Sequence, residues 1–378
     1  MDAEVAVIGA GVIGSATALG LARRGVETLL IEAEDEPGLA ASGTNSGIIH
    51  TGFDSRPGEL ETEMILRSAA LREEALAALD VPLLRCGALM RPLEPAQADA
   101  VRALAANAAA NGVEASLRAD GVLEVPGETV TDPVAYTTGL AAAATAHGAE
   151  LRTGTRVARV RREADGLAVA TGGGDVRCRV AVNCAGLHAD EVARSAGDDS
   201  FGIYPRKGEF LVFDPPRGVR LDRILLPVPT KRTKGVLVFP TVDGRIVAGP
   251  TAVDEGDKGD WSVRAEAAAE IVPKAVAMHP PLEGREPVAA YAGLRPAGRG
   301  VDYLIGPSKA CPGLINVAAI RSTGLTASLG IAERVAAITA EAGIEMAEPE
   351  PLRAVAPRPA DGPWWRRTAA HHGAVPAS

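Results

Sequence analysis

A chain of 378 residues, 47% hydrophobic and 23% charged, can bury a core large enough for two domains and carries no compositional mark of disorder. Its net charge of −9, with no basic run, excludes a nucleic-acid-binding surface built on Lys and Arg clusters. Four cysteines (Cys86, Cys178, Cys184 and Cys311) form no CxxC pair and read as buried free thiols, not as a disulfide or metal framework.

In chain order, Asp2 and Glu4 bracket the start of a short apolar run with no basic stretch before it, so no secretory leader is expected and the cytoplasm is the expected compartment. No apolar run is long enough for an integral membrane segment. EVAVI (4–8) reads as a buried parallel strand, SATALGLARRG (15–25) as a helix with Gly25 at its C-cap, and VETLLIE (26–32) as a second buried strand. Residues 38–58 are small, polar and glycine-rich, the composition of a functional loop. An amphipathic helix is predicted over 59–80, a strand over 85–93 and a helix over 96–112. A capped helix within 130–151 leads to strands over 150–163 and 167–186. Strand-like segments at 208–213, 235–242 and 244–251 suggest a separate antiparallel unit, and 313–339 returns to strand, glycine loop and helix. The Pro- and Ala-rich tail beyond Pro349 reads as disordered or docked, with WWRR (364–367) suggesting that part of it packs back on the body.

Gly9-Ala10-Gly11-Val12-Ile13-Gly14 is a GxGxxG between a predicted strand and a predicted helix. The first glycine permits the tight turn, the second lets a pyrophosphate approach the backbone, and the third lets helix and strand pack closely. Glu32 ends the second strand 18 residues after Gly14, where an acid accepts ribose hydroxyls and disfavours a 2′-phosphate. The motif alone does not separate NAD from FAD. The following loop, ASGTNSGIIH, offers backbone donors and small hydroxyls able to follow an extended second nucleotide half, which favours FAD.

VAVIGAGVIG, SGTNSGIIHTG, TRVARV, VNCAGLHAD, PRKGEF, YAGLRP and NVAAIRSTGLTAS occur in this order across roughly residues 3–345. In them the chain resembles the FAD-dependent D-amino-acid-oxidase superfamily, and within it the glycerol-3-phosphate and L-2-hydroxyglutarate dehydrogenase or oxidase branch. The resemblance implies an α/β fold: a Rossmann-type FAD-binding domain with an inserted, mainly antiparallel substrate domain of α+β character. FAD-binding segments are expected at 1–85, 131–200 and 286–348, substrate-domain segments at 86–130 and 201–285, and an extension at 349–378. It also implies that Gly9, Gly11, Gly14 and Glu32 hold the ADP half, while Ser42, Thr44, Asn45 and Ser46 line the pyrophosphate and ribityl path. Val157 is expected to reach the adenine through its backbone, and Ala185 and Gly186 to pack near the pyrophosphate. Gly324, Leu325 and Thr326, at a helix N-terminus, are expected to face the flavin N1–O2 edge, where a positive dipole stabilises the reduced flavin's charge.

Oxidation of an alcohol by hydride transfer to flavin N5 needs a base for the hydroxyl proton. His50 closes the glycine-rich loop and, with an ordinary pKa near 6.5, suits that role. The alternatives for His50 are a hydrogen bond to a loop carbonyl and a covalent bond to flavin. Arg295 and Arg321 are candidates to hold an anionic substrate, because a guanidinium fork matches carboxylate or phosphate in two points. Arg206 and Lys207 are candidates to add to the pocket, and Tyr204 or Tyr291 to cap it. No histidine has a partner at metal-ligand spacing, so no metal site is expected. Phe53 and Asp54 stand where the hydroxyglutarate branch commonly has two tyrosines, which leaves the substrate open. The expected partners are a small anionic substrate and an electron acceptor: oxygen, a quinone or a carrier protein. The expected reaction is oxidation of a secondary alcohol, with amine or amino-acid oxidation and non-catalytic flavin binding as alternatives.

Overall fold

Ala3–Ile8 is the centre of a parallel sheet because its side chains are covered on both faces. Its neighbours are Thr28–Ile31 on one side and Gly174–Asn183 on the other, all parallel. Glu150–Arg152 extends the sheet beyond Thr28–Ile31, and Leu314–Ala318 beyond Gly174–Asn183. Thr28–Ile31 and Leu314–Ala318 are buried at every residue, as strands between two layers must be. Val157–Glu163 and Gly166–Thr171 continue from Gly174–Asn183 as an antiparallel ribbon. The computed structural model describes residues 1–230, 235–356 and 362–373, so most of the expected extension at 349–378 is covered and part of it lies outside the described residues.

Three helices, Val12–Ala22, Pro133–Ala146 and Gly324–Glu341, pack together on one face of this sheet. Val12–Ala22 is buried nearly all round, so its sequence is apolar rather than amphipathic. A Cβ on Gly20 would lie 3.4 Å from Ala332 Cβ, which shows how closely the first and last of these helices approach. Asp132 caps Pro133–Ala146 by accepting from Val134 N and Ala135 N, with Pro at the first helical position. The predicted start at Ser15 falls three residues late, because Val12 and Ile13 already belong to the helix.

A second, nine-stranded sheet is antiparallel apart from one parallel pair, Ala88–Met90 with Ile224–Leu226. Its longest pairing joins Gly202–Phe213 to Ala289–Arg299. That pairing shifts the division expected at 286: residues 289–299 are a strand of the antiparallel sheet, not part of the dinucleotide-binding unit. Helix Ala267–Met278 packs on this sheet and was missed within 201–285, since Pro273 sits inside it and reads as a breaker.

A small third sheet pairs Ile48–Ile49 and Leu83–Leu84 with Thr129–Thr131. It carries the chain from the glycine-rich loop to the antiparallel unit. It also sets His50 beside the turn that precedes Thr129.

Candidate active site and cofactor cleft

The GxGxxG adopts the geometry its sequence requires. Gly9 has φ +97°, and Gly11 stands at the N-cap of helix Val12–Ala22. A Cβ on Gly14 would lie 1.8 Å from Gly9 O, so only glycine lets helix and strand meet there. Glu32 accepts from Ala10 N at 2.6 Å and from Glu34 N at 2.9 Å, tying the end of the second strand to the glycine turn. Burial raises its pKa, against backbone N–H donors that lower it. Ser42 Oγ accepts from Val12 N at 2.9 Å and joins the glycine-rich loop to the same helix N-terminus.

These segments enclose a cavity of about 530 Å³, within the range of small-molecule sites. Gly9, Gly11, Glu32, Ser42, Asn45, Val157, Ala185, Gly186, Gly324 and Leu325 all line it. Gly14, Thr44 and Thr326 are buried behind the wall, and Ser46 bonds Asn45 Oδ1. The cradle fits a dinucleotide: side-chain-free backbone at the turn, an acid beside it, and a cavity lining that reaches Gly324 and Leu325 at the start of helix Gly324–Glu341. Ala319 and Arg321, both with positive φ, shape the loop before that helix, and such strain clusters at functional sites.

His50 is fixed on three sides. Its N–H donates to Thr326 Oγ1 at 3.0 Å, and its carbonyl accepts from Arg72 Nη2 at 2.9 Å. Its ring Nδ1 lies 2.7 Å from Glu128 Oε2. Glu128 has a fully buried side chain, and its other oxygen accepts from Thr51 N at 2.7 Å and Thr51 Oγ1 at 2.8 Å. An ionised carboxylate so placed can accept an Nδ1–H hydrogen bond as a third donor, and in that tautomer Nε2 carries the lone pair. The imidazole side chain remains 22% exposed, although His50 itself is not among the residues that line the cavity. Glu128 was missed by sequence reasoning: it lies 78 residues from His50, in a PGE turn with no periodic signal. Gly127 makes the contact possible, since a Cβ there would lie 2.8 Å from Thr51 Cγ2.

The arginines differ from expectation. Arg295 donates through Nε to Arg206 O at 3.0 Å and through Nη2 to Lys207 O at 3.0 Å and Thr251 O at 2.8 Å. Its fork therefore holds the antiparallel sheet together, and only Nη1 makes no hydrogen bond among the described residues. Burial, with Arg206 nearby, brings its pKa down to about 10. Arg321 lines the cleft, yet its Nη2 contacts Glu61 at 2.7 Å and its Nε contacts Asp302 at 2.9 Å. Its charge is thus met by two carboxylates. Arg206 is paired with Asp254, and the fully buried Lys207 lies 2.6 Å from Asp260. Tyr291 is no cap either: it is buried between Phe210 and Trp364. Tyr204 packs under Arg299 and takes a hydrogen bond from Arg206.

The tail histidines, passed over in the sequence, reach the cleft. His371 and His372 line it together with Trp261 and Lys258. His188 also lines it, bonded to Glu191 at 3.0 Å. Among the described residues no group of three or more His, Cys, Asp or Glu could hold a metal ion, and no helix is long and apolar enough to cross a membrane.

A parallel sheet with a glycine-rich turn at a helix N-terminus and an acid at the end of the next strand, joined to an antiparallel sheet, is the architecture of a dinucleotide-binding protein. Residues 4–338 match the DAO family model, described as FAD dependent oxidoreductase, and the chain belongs to that family. It is 30% identical to the glycerol 3-phosphate dehydrogenase of Caloramator mitchellensis, across 87% of this chain and 72% of that protein. It is also 30% identical to the mitochondrial L-2-hydroxyglutarate dehydrogenase of Mus musculus, across 65% of this chain and 60% of that protein. The solved L-α-glycerophosphate oxidase of Mycoplasma pneumoniae, with FAD bound, superposes with a TM-score of 0.85 at 25% identity, covering 93% of this chain and 97% of that one. The chain is an FAD-dependent enzyme, as its glycine cradle and loop indicated.

Proposed function

We propose that the enzyme oxidises a secondary alcohol on a small anion, glycerol 3-phosphate or an L-2-hydroxy acid, with His50 as the base. The observation that carries this reading is the His50–Glu128 pair. An alcohol loses hydride readily only as its hydroxyl proton leaves, whereas a neutral amine needs no dedicated base. FAD, when bound, supplies the two-electron acceptor for that hydride. His50 Nε2 takes the hydroxyl proton, and Glu128 stabilises the imidazolium that forms, as a carboxylate behind a catalytic histidine does elsewhere. The substrate names come from the relatives, and the anion preference rests on them together with Arg295 Nη1. Turnover is completed by an electron acceptor (oxygen, a quinone or a carrier protein), and the cytoplasm is the compartment this reading assumes.

Anaerobic mixing with glycerol 3-phosphate, L-2-hydroxyglutarate and a panel of amino acids tests the proposal. Bleaching of the visible flavin absorbance by one of the two hydroxy compounds is expected. Bleaching by amino acids alone would replace this reading with amine oxidation. Oxygen consumption in the same cuvette then separates an oxidase from a dehydrogenase.

Arg295→Lys provides a second measurement. A lysine cannot reach three carbonyls, so urea unfolding should show a loss of about 3 kcal/mol, the scale of charge-assisted bonds left unmade. If Nη1 also meets the substrate anion, the concentration for half-maximal flavin reduction should rise about tenfold, near 1.4 kcal/mol. Lower stability with an unchanged concentration dependence would leave Arg295 as a clip of the sheet alone.

A further inference from the structure

Residues 363–373 lie beyond the segment that matches the family model, yet His371 and His372 at the end of that segment line the cleft. Helix Trp364–His371 is anchored by an apolar face at i, i+1, i+4 and i+5: Trp364, Trp365, Thr368 and Ala369 are all buried. Trp364 meets the ring of Tyr291 edge-on at 5.3 Å, on the antiparallel sheet. Trp365 Nε1 donates to Asp243 Oδ2 at 3.2 Å, also on that side.

The opposite contacts run to the dinucleotide-binding side. Arg367 pairs with Glu36 at 3.2 Å, and His371 lies 3.5 Å from Glu34. His372 Nε2 bonds Leu39 O at 2.8 Å. A Cβ on Gly43 would lie 2.9 Å from Thr368 Cγ2, so the helix rests directly on the glycine-rich loop. The ring of His372 then stacks on Trp261, with centroids 3.9 Å apart and planes 11° from parallel. The helix thus bridges both sheets at the cleft, and the Trp261–His372 pair closes the bridge beside Gly38–Ser42.

We propose that this helix is a clasp on FAD, and that its release from Leu39 and Trp261 sets the rate at which the cofactor leaves. The segments it rests on, 34–43, contribute Glu34 and Ser42 to the cavity wall. FAD leaving past that wall must displace the segment or the helix above it. The clasp works by cover rather than charge. Burial lowers the pKa of His372 and favours its neutral form, and the Arg367 charge is matched by Glu36. The inference needs only that FAD is the cofactor and does not depend on which substrate is oxidised.

The test follows FAD release by the rise of free-flavin fluorescence after dilution of the holoenzyme. A chain ending at residue 362 is expected to lose FAD about tenfold faster or more, and His372→Ala about threefold faster, at low and high salt alike. A truncated chain that keeps its far-ultraviolet circular dichroism and releases FAD at the full-length rate overturns the proposal. If truncation prevents folding, the full-length double variant Trp261→Leu with His372→Ala decides, because Trp364 and Trp365 still anchor the helix. Unchanged release from that variant overturns the clasp, and faster release supports it.

Discussion

His50→Ala should retain FAD and its absorbance spectrum while slowing anaerobic flavin reduction about a hundredfold or more, the usual scale of a lost general base. The separation of the two effects follows from how His50 is held. Its contacts to Thr326 and Arg72 use backbone N–H and carbonyl, which alanine keeps. Only the imidazole, with its bond to Glu128, is lost. Glu128 keeps two donors from Thr51, so the cost to folding should stay at about 1–3 kcal/mol. Glu128→Gln makes the complementary measurement. Its amide can donate to Nδ1 and thereby hold the imidazole in the wrong tautomer, with Nε2 protonated and unable to take the hydroxyl proton. Reduction should then slow about ten- to hundredfold, with a changed pH profile and unchanged flavin content. Stopped-flow reduction of both variants checks the pair. Near-normal rates in both would return His50 to a structural role and remove the support for alcohol oxidation.

Gly14→Ala should yield protein that is colourless or binds FAD at least about a hundredfold more weakly. The added methyl would sit 1.8 Å from Gly9 O and 3.3 Å from Cys184 Cβ. Relief requires the first helix to move away from the strand by more than an ångström, since the obstruction is backbone and cannot rotate aside. That movement carries the helix N-terminus away from the position expected for the FAD phosphates and breaks the Val12 N to Ser42 Oγ bond that ties the helix to the glycine-rich loop. Overpacking of this kind also costs folding about 1–3 kcal/mol or more. Flavin content after purification, and titration of the apoprotein with FAD, read the outcome. Gly25→Ala serves as the contrast: a Cβ there meets nothing within 4 Å, so only the strain of its φ of +77° should appear and FAD should remain bound. Wild-type FAD affinity in Gly14→Ala would mean that the close helix–strand approach is not what shapes the phosphate site.

The cofactor side of this enzyme was legible in the sequence because its determinants are local. A glycine turn, the following helix and an acid at a strand end lie within about thirty residues, and backbone sterics dictate their geometry wherever that pattern occurs. Asn45, Val157 and Gly324 followed from motifs in family order, and all three line one cleft. The position of His50 at the end of the glycine-rich loop was legible for the same reason. Partnership was not. Arginine and glutamate look alike in sequence whether they face a ligand or another side chain, and what satisfies a buried charge is set by strands distant along the chain. Hence Arg295 turned out to clip Arg206, Lys207 and Thr251, and Arg321 to pair with Glu61 and Asp302. Glu128 emerged behind His50 only because the small sheet of Ile48–Ile49 with Thr129–Thr131 brings the two loops together. The tail marks the boundary between the two kinds of knowledge. Its tryptophans announced burial, but that they would set His371 and His372 into the cofactor cleft was decided by the space left between two packed sheets.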